Sequence, residues 1–217
     1  FYDDDGGSDR GALWIMFLNT DGTVRAHQKI SADSGFFSGI LDDGDWFGRS
    51  VANIGDLDGD GIIDIVVGAI LDDDGGSARG AVWILFLNSN GTVKSHQKIS
   101  STSGNFIGVL DDFDRFGWSV AGIGDLDKDN IKDVVVGVEW DDDGGSNRGA
   151  VWILFLNTDG TVKSHQKISD TQGNFIGILD DLDHFGWYVS NIGDLNGDNI
   201  TDIAVVARFD EDRKSDV

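Results

Sequence analysis

The chain of 217 residues has no cysteine, no proline and a single methionine. Without cysteine there can be no disulfide framework and no thiolate metal site. Long hydrophobic runs are missing too. The longest unbroken apolar stretch, Ala81–Leu87, falls far short of the roughly 20 residues that a membrane-spanning helix needs. Positive charge is scarce: 16 Lys and Arg face 39 Asp and Glu, for a net charge of −23. A nucleic acid, itself a polyanion, would be repelled. The chain opens Phe1-Tyr2-Asp3 with neither an initiator Met nor a signal peptide, as expected of a processed product or a fragment. Glutamate is nearly absent: among the acids only Glu139 and Glu211 are Glu. Aspartate favours turns, caps and metal loops, whereas Glu favours helices. With 31 glycines and 40% apolar residues, this composition points to a loop-rich β protein with a packed core.

What is present is a repeat. Asp56-Leu57-Asp58-Gly59-Asp60 returns as Asp125-Leu126-Asp127-Lys128-Asp129 and as Asp194-Leu195-Asn196-Gly197-Asp198, each time 69 residues on. Arg10-Gly11, Arg79-Gly80 and Arg148-Gly149 keep that step, as do Trp14, Trp83 and Trp152. Each period predicts four strands, here Gly117–Gly124, 132–138, Gly149–Leu156 and 161–168. Asn157-Thr158-Asp159-Gly160 joins the last two as a hairpin turn. No helical period is visible. The third strand is apolar at every position rather than at alternate ones, so it must be buried on both faces. Four-stranded antiparallel sheets stacked around an axis do this, and the prediction is an all-β fold of β-propeller blades. The phase divides the chain into a half-blade (1–45), blades 46–114 and 115–183, and a complementary half-blade (184–217). So few blades do not comfortably close a ring. Further blades of a longer chain, or further copies of this one, are expected to complete it.

Phe47-Gly48-Arg49-Ser50-Val51-Ala52, then Gly55-Asp56-Leu57-Asp58-Gly59-Asp60-Gly61, then Asp64-Ile65-Val66-Val67-Gly68-Ala69, resembles the FG-GAP repeat of the integrin alpha-subunit propeller. The pattern recurs at Phe116-Gly117 with Gly137-Val138, and at Phe185-Gly186 with Val206-Ala207. The departures are the missing prolines and the altered Gly-Ala pairs. The resemblance implies that strand one lines a central channel, that calcium loops join strands one and two on one face, and that ligands bind the opposite face.

The loops support calcium on chemical grounds as well. Asp56, Asp58, Asp60 and Asp64 hold positions 1, 3, 5 and 9, and the carbonyl of Ile62 supplies position 7. Alternate carboxylates on a tight loop converge, and this many hard oxygen ligands suit Ca²⁺ better than Mg²⁺. The second loop offers Asp125, Asp127, Asp129, Asp133 and the Ile131 carbonyl. The third offers Asp194, Asn196, Asp198, Asp202 and the Ile200 carbonyl. It has one anionic ligand fewer and should bind more weakly. Position 6 needs a sharp turn, met by Gly61, Asn130 and Asn199.

Other features read less sharply. Asp72-Asp73-Asp74-Gly75-Gly76-Ser77, repeated from Asp3 and Asp141, could hold a cation or a hydroxyl-rich ligand, but reads first as a solvated turn. The acids at 42, 43 and 45, at 111, 112 and 114 and at 180, 181 and 183 precede each Phe-Gly, and paired carboxylates can do glycosidase chemistry. Their repetition argues against a single active site, and no lone nucleophile, Ser-His-Asp order or phosphate loop is present. His27, His96 and His165 share a register and read as strand-surface or inter-blade contacts. Trp14, Trp83 and Trp152 read as core. Trp46, Trp118, Trp140 and Trp187 read as blade packing or as stacking platforms for sugars. The function expected is a non-catalytic, calcium-binding extracellular or cell-surface module for adhesion or self-assembly, with a protein or glycan ligand. The alternative is a calcium-dependent lectin with one carbohydrate site per blade.

Overall fold

The computed structural model describes residues 2–210. Phe1 and residues 211–217, the outer ends of the two expected half-blades, lie outside the described residues. Twelve strands are present and, among the described residues, no helix. They are β1 (Ala12–Leu18), β2 (Val24–Ser31), β3 (Phe47–Gly55), β4 (Asp64–Ala69), β5 (Ala81–Leu87), β6 (Val93–Ile99), β7 (Ser119–Gly124), β8 (Asp133–Val138), β9 (Ala150–Leu156), β10 (Val162–Ile168), β11 (Phe185–Gly193) and β12 (Asp202–Ala207). Two sheets have four strands, in the orders β3-β4-β5-β6 and β7-β8-β9-β10, and β1-β2 and β11-β12 form two-stranded sheets. All pairings between the strands are antiparallel. The sheets stack in series and do not close on themselves.

The continuous apolar run of β5 is explained by two cores. Val82, Ile84 and Phe86 pack against Trp152, Leu154 and Leu156 of the following sheet. Trp83, Leu85 and Leu87 turn the other way, into a cluster with Leu13, Ile30 and Phe37. Successive side chains of a strand point to opposite faces, so burial of both faces demands an apolar residue at every position. In β9, Val151 and Ile153 reach a third cluster with Phe185 and Val189.

The first copy of this strand behaves differently. Trp14 is 50% exposed, Met16 59% and Leu18 60%, so Trp14 is not the core residue that its register suggests. The reason is local: among the described residues β1 pairs only with β2, and no sheet covers its outer face.

Consecutive sheets approach closely where the Phe-Gly pair begins strand one. Phe116 is fully buried and stacks on Phe106, with ring centroids 5.2 Å apart. Gly117 follows with a φ of 95° and passes its carbonyl to the Ser50 hydroxyl at 2.7 Å. A Cβ on Gly68 would sit 2.2 Å from that same carbonyl oxygen. Only glycine permits this contact between sheets.

Candidate cation loops

The turns from β3 to β4, from β7 to β8 and from β11 to β12 carry the acidic loops, all at the end of strand one away from Phe-Gly. In the first, Asp56 Oδ1 accepts the amides of Gly59 and Asp60 at 2.8 and 3.0 Å, and Oδ2 accepts that of Gly61 at 2.9 Å. Asp58 and Asp60 each accept an amide two residues on. The turn is thus wound around its own carboxylates. Position 6 is left-handed in all three loops, with φ of 86° at Gly61, 73° at Asn130 and 64° at Asn199. Position 4 is left-handed as well, at Gly59, Lys128 and Gly197, a requirement the sequence reading missed.

Carboxylate oxygens of Asp56, Asp58 and Asp60 lie within 4.8 Å of one another, as do those of Asp125, Asp127 and Asp133. Asp64 and Asp129 stay outside these groups. Asp194, Asp198 and Asp202 form no such group among the described residues. In the third loop Asp194 is tied to the amides of Gly197, Asp198 and Asn199, and Asn196 to that of Asp198. Ile62 and Ile131 rest their side chains on the neighbouring cores, and Ile200 is exposed. The first two donor sets are all oxygen and anionic, and so fit a hard divalent cation.

Position 9 has a second task. Buried Asp64 accepts the amide of Leu57, inside the loop, at 2.9 Å and that of Leu87, the last residue of β5, at 3.1 Å. Asp133 does the same with Leu126 at 2.8 Å and Leu156 at 3.2 Å. Burial pushes the Asp133 carboxyl up to about 6 and raises that of Asp64.

Two lysines absent from the sequence reading complete the first two loops. Lys94, on β6, places Nζ 2.6 Å from Asp58 Oδ2 and also bonds Asp60 Oδ2. Lys163, on β10, bridges Asp127, at 2.6 Å, and Asp129 in the same way. The lysine bonds hold the carboxyls of Asp60 and Asp129 below the usual range. The Thr-Val-Lys after the second and third hairpin turns, at 92–94 and 161–163, was the available signal.

The remaining motifs resolve into ion pairs. Asp72 is buried, not a solvated turn residue, and binds Lys98 at 2.6 Å, with Asp74 at 2.8 Å from the same ammonium. Lys29 and Lys167 repeat the arrangement with Asp3 and Asp5, and with Asp141 and Asp143. The recurring arginine pairs with the acid 33 residues on: Arg10 with Asp43, Arg79 with Asp112 and Arg148 with Asp181. Asp45 and Asp114 are buried, and their carboxyls are pushed up to about 7 and about 8, chiefly by burial. His96 packs between Phe37 and Trp83, and His165 between Phe106 and Trp152, as inter-sheet contacts.

At the opposite end of strand one the structure assembles a cluster that the sequence did not announce. Arg49 lies over Trp118 at 4.0 Å, Arg115 over Trp140 at 3.6 Å and Arg208 over Trp187 at 3.9 Å. Fully buried Glu139 sits 3.4 Å from Arg115, and its carboxyl is pushed up to about 7, first by burial. The variation of Trp46, Arg115 and His184 at one repeat position was the only hint.

Comparison with known proteins follows the same residues. Two FG-GAP repeat family models match, one over residues 41–86 and the other over 116–154. Mouse integrin alpha-2 is 33% identical over 201 residues, covering 91% of this chain. Human integrin alpha-11 is 31% identical over 171 residues, and the Caenorhabditis elegans integrin alpha pat-2 is 32% identical over 170, each covering 76% of the chain. The chain spans only 13–15% of the length of these relatives.

Proposed function

The chain is built from FG-GAP repeats like those of the integrin alpha subunits it resembles, and on that premise we propose that it is a calcium-stabilised segment of an extracellular β-propeller. Its blades are 46–114 and 115–183, flanked by half-blades, and its role is adhesive or architectural rather than catalytic. The observation that carries this reading is the convergence of Asp56, Asp58 and Asp60, and of Asp125, Asp127 and Asp133, on the same end of consecutive sheets. Ca²⁺ would be held there by these acids with Asp64 and Asp129, helped by the carbonyls of Ile62 and Ile131. A third, weaker site would use Asp194, Asn196, Asp198, Asp202 and the Ile200 carbonyl. Extracellular modules bind calcium at roughly 10⁻⁴ to 10⁻³ M, which suits the millimolar calcium outside cells, and the proposed location is there or at the cell surface. The ends of the stack expose Trp14, Met16 and Leu18 on one side and Tyr188 and Leu195 on the other. Further blades, or a second copy, would cover them. Guanidinium groups lie over the rings of Trp118, Trp140 and Trp187, which favours packing over sugar stacking.

The test is calorimetric titration of calcium into chelator-treated protein, with melting curves recorded alongside. A ligand that binds only the native state adds about 2.7 kcal/mol per site at a hundredfold excess over Kd. Calcium should raise the melting temperature, and Asp56→Ala should reduce that rise. Identical melting curves in calcium and in chelator, with no heat of binding, would refute the reading.

A further inference from the structure

Two of the three acidic loops are already bridged by a cation that the chain itself supplies. Lys94 Nζ sits between Asp58 and Asp60, and Lys163 Nζ between Asp127 and Asp129. Each lysine stands 36 residues after the first acid it bridges, at the start of an outer strand. The two loops therefore share one device. No lysine bridges the acids of 194–202 among the described residues. There Asp194 and Asp198 accept backbone amides, as Asp56 and Asp60 also do in the first loop, and the lysine is the difference.

An ammonium between two carboxylates occupies the place, and satisfies the charge, that a divalent ion would take. Both cannot sit there at once. Asp58 and Asp60 are the position 3 and 5 ligands of the first loop, as Asp127 and Asp129 are of the second. The lysine side chains are 39% exposed, so each ammonium has solvent to swing into. A lysine stem is flexible, and its ammonium regains hydration once released.

We infer that Lys94 and Lys163 are built-in competitors for the cation: each holds its loop in shape when no metal is bound and must leave when metal arrives. This rests on the reading of these loops as calcium sites. The device has two consequences. It lowers calcium affinity at the first two loops, and it keeps neighbouring carboxylates from repelling one another in the metal-free protein. Loss of the lysine should therefore act in opposite directions on the two states. A surface ion pair contributes modestly, and displacement of a two-pronged one corresponds to roughly a threefold to tenfold change in affinity.

The experiment compares the wild-type chain with Lys94→Gln/Lys163→Gln, and with Lys94→Arg/Lys163→Arg, which keeps a cationic bridge. Calcium chloride is titrated by calorimetry, and melting temperatures are taken in chelator and in calcium. The Gln variant should bind calcium roughly threefold to tenfold more tightly at two sites and melt lower in chelator. The Arg variant should stay close to wild type. The single variants Lys94→Gln and Lys163→Gln report each loop alone and serve if the double variant does not fold. Wild type binding calcium, with Gln variants binding equally or more weakly, overturns the competitor and leaves the calcium reading standing. Binding by the Gln variants but not by wild type supports the competitor in its strongest form. No binding by any of them overturns both.

Discussion

Asp114 offers a sharp test of how this fold treats buried charge. Its side chain is 3% exposed and lies near buried Asp141, and its carboxyl is pushed up to about 8 from an ordinary value of 3.8. Burial is the main cause, and the charge of Asp141 adds to it, with Lys167 opposing. A carboxyl whose folded value is raised binds its proton more tightly in the native state. Its contribution to stability is complete below about pH 4 and is lost as pH rises towards 8. A tenfold change in proton affinity corresponds to about 1.4 kcal/mol, so a rise from 3.8 to about 8 sets an upper bound of about 5–6 kcal/mol. Water entry and relaxation around the ion reduce this to about 2 kcal/mol at pH 8.5. Asp114→Asn keeps an oxygen for the Asp111 amide, which now donates to Asp114 Oδ2 at 2.8 Å, and it removes the titrating proton. The variant should match wild type in urea denaturation at pH 4.5 and exceed it by about 2 kcal/mol at pH 8.5. A difference that does not change between these pH values would refute the argument. So would a variant that gains stability only at the acid end.

Other perturbations separate contacts that matter from contacts that do not. Gly137→Ala would place a Cβ 2.2 Å from the Gly186 carbonyl and 2.3 Å from Ser119 Oγ. It should cost about 1–3 kcal/mol or more in denaturant unfolding, as overpacking does. Arg79→Ala breaks an ion pair of 2.9 Å, but Asp112 is half-exposed, so the loss should stay within about 1 kcal/mol and shrink in high salt. Ile84→Ala, in the strand buried on both faces, should cost about 2–5 kcal/mol by the same assay.

The sequence was most legible where physics leaves little choice. An apolar run with no alternation, as in Ala81–Leu87, can only be a strand buried twice, and its alternate side chains do enter two different cores. The hairpin turns ending in Asp-Gly or Asn-Gly and the left-handed backbone at position 6 are local rules, and they appear where the spacing puts them, whereas the left-handed position 4 did not stand out. Three of the four loop carboxylates converge in each of the first two loops, and no such trio forms in the third among the described residues, although Asp194 accepts the same amides as Asp56. The third loop differs in having Asn196 at position 3 and, among the described residues, no bridging lysine. The ammonium bridges were missed because Lys94 is far from Asp58 in sequence and meets it only after β4 and β5 are laid between them. Trp14 was misread because the repeat gives the register of a residue but not whether a neighbouring sheet covers it. The tryptophans of the cluster were legible as blade packing, but their arginine partners were missed because Arg49, Arg115 and Arg208 stand at three different repeat positions.

The position 9 aspartates join the loop chemistry to the core and make one more prediction. Asp64 holds the Leu57 amide within the loop and the Leu87 amide at the end of β5, the strand common to two hydrophobic clusters. A change at the loop therefore reaches the most buried strand through one side chain. Asp58, by contrast, has its hydrogen bonds with its own loop and Lys94. Asp64→Asn leaves one oxygen for two buried amides and turns an NH₂ towards the other. A buried donor left without an acceptor costs about 1–3 kcal/mol. That loss should appear in chelator as well as in calcium. Asp58→Asn should leave metal-free stability within about 1 kcal/mol of wild type, because it removes only an exposed ion pair, while weakening calcium binding. Denaturant unfolding of both variants, with and without calcium, separates the two effects. If Asp64→Asn loses stability only when calcium is present, position 9 is a ligand and nothing more, and its link to β5 contributes nothing to the fold.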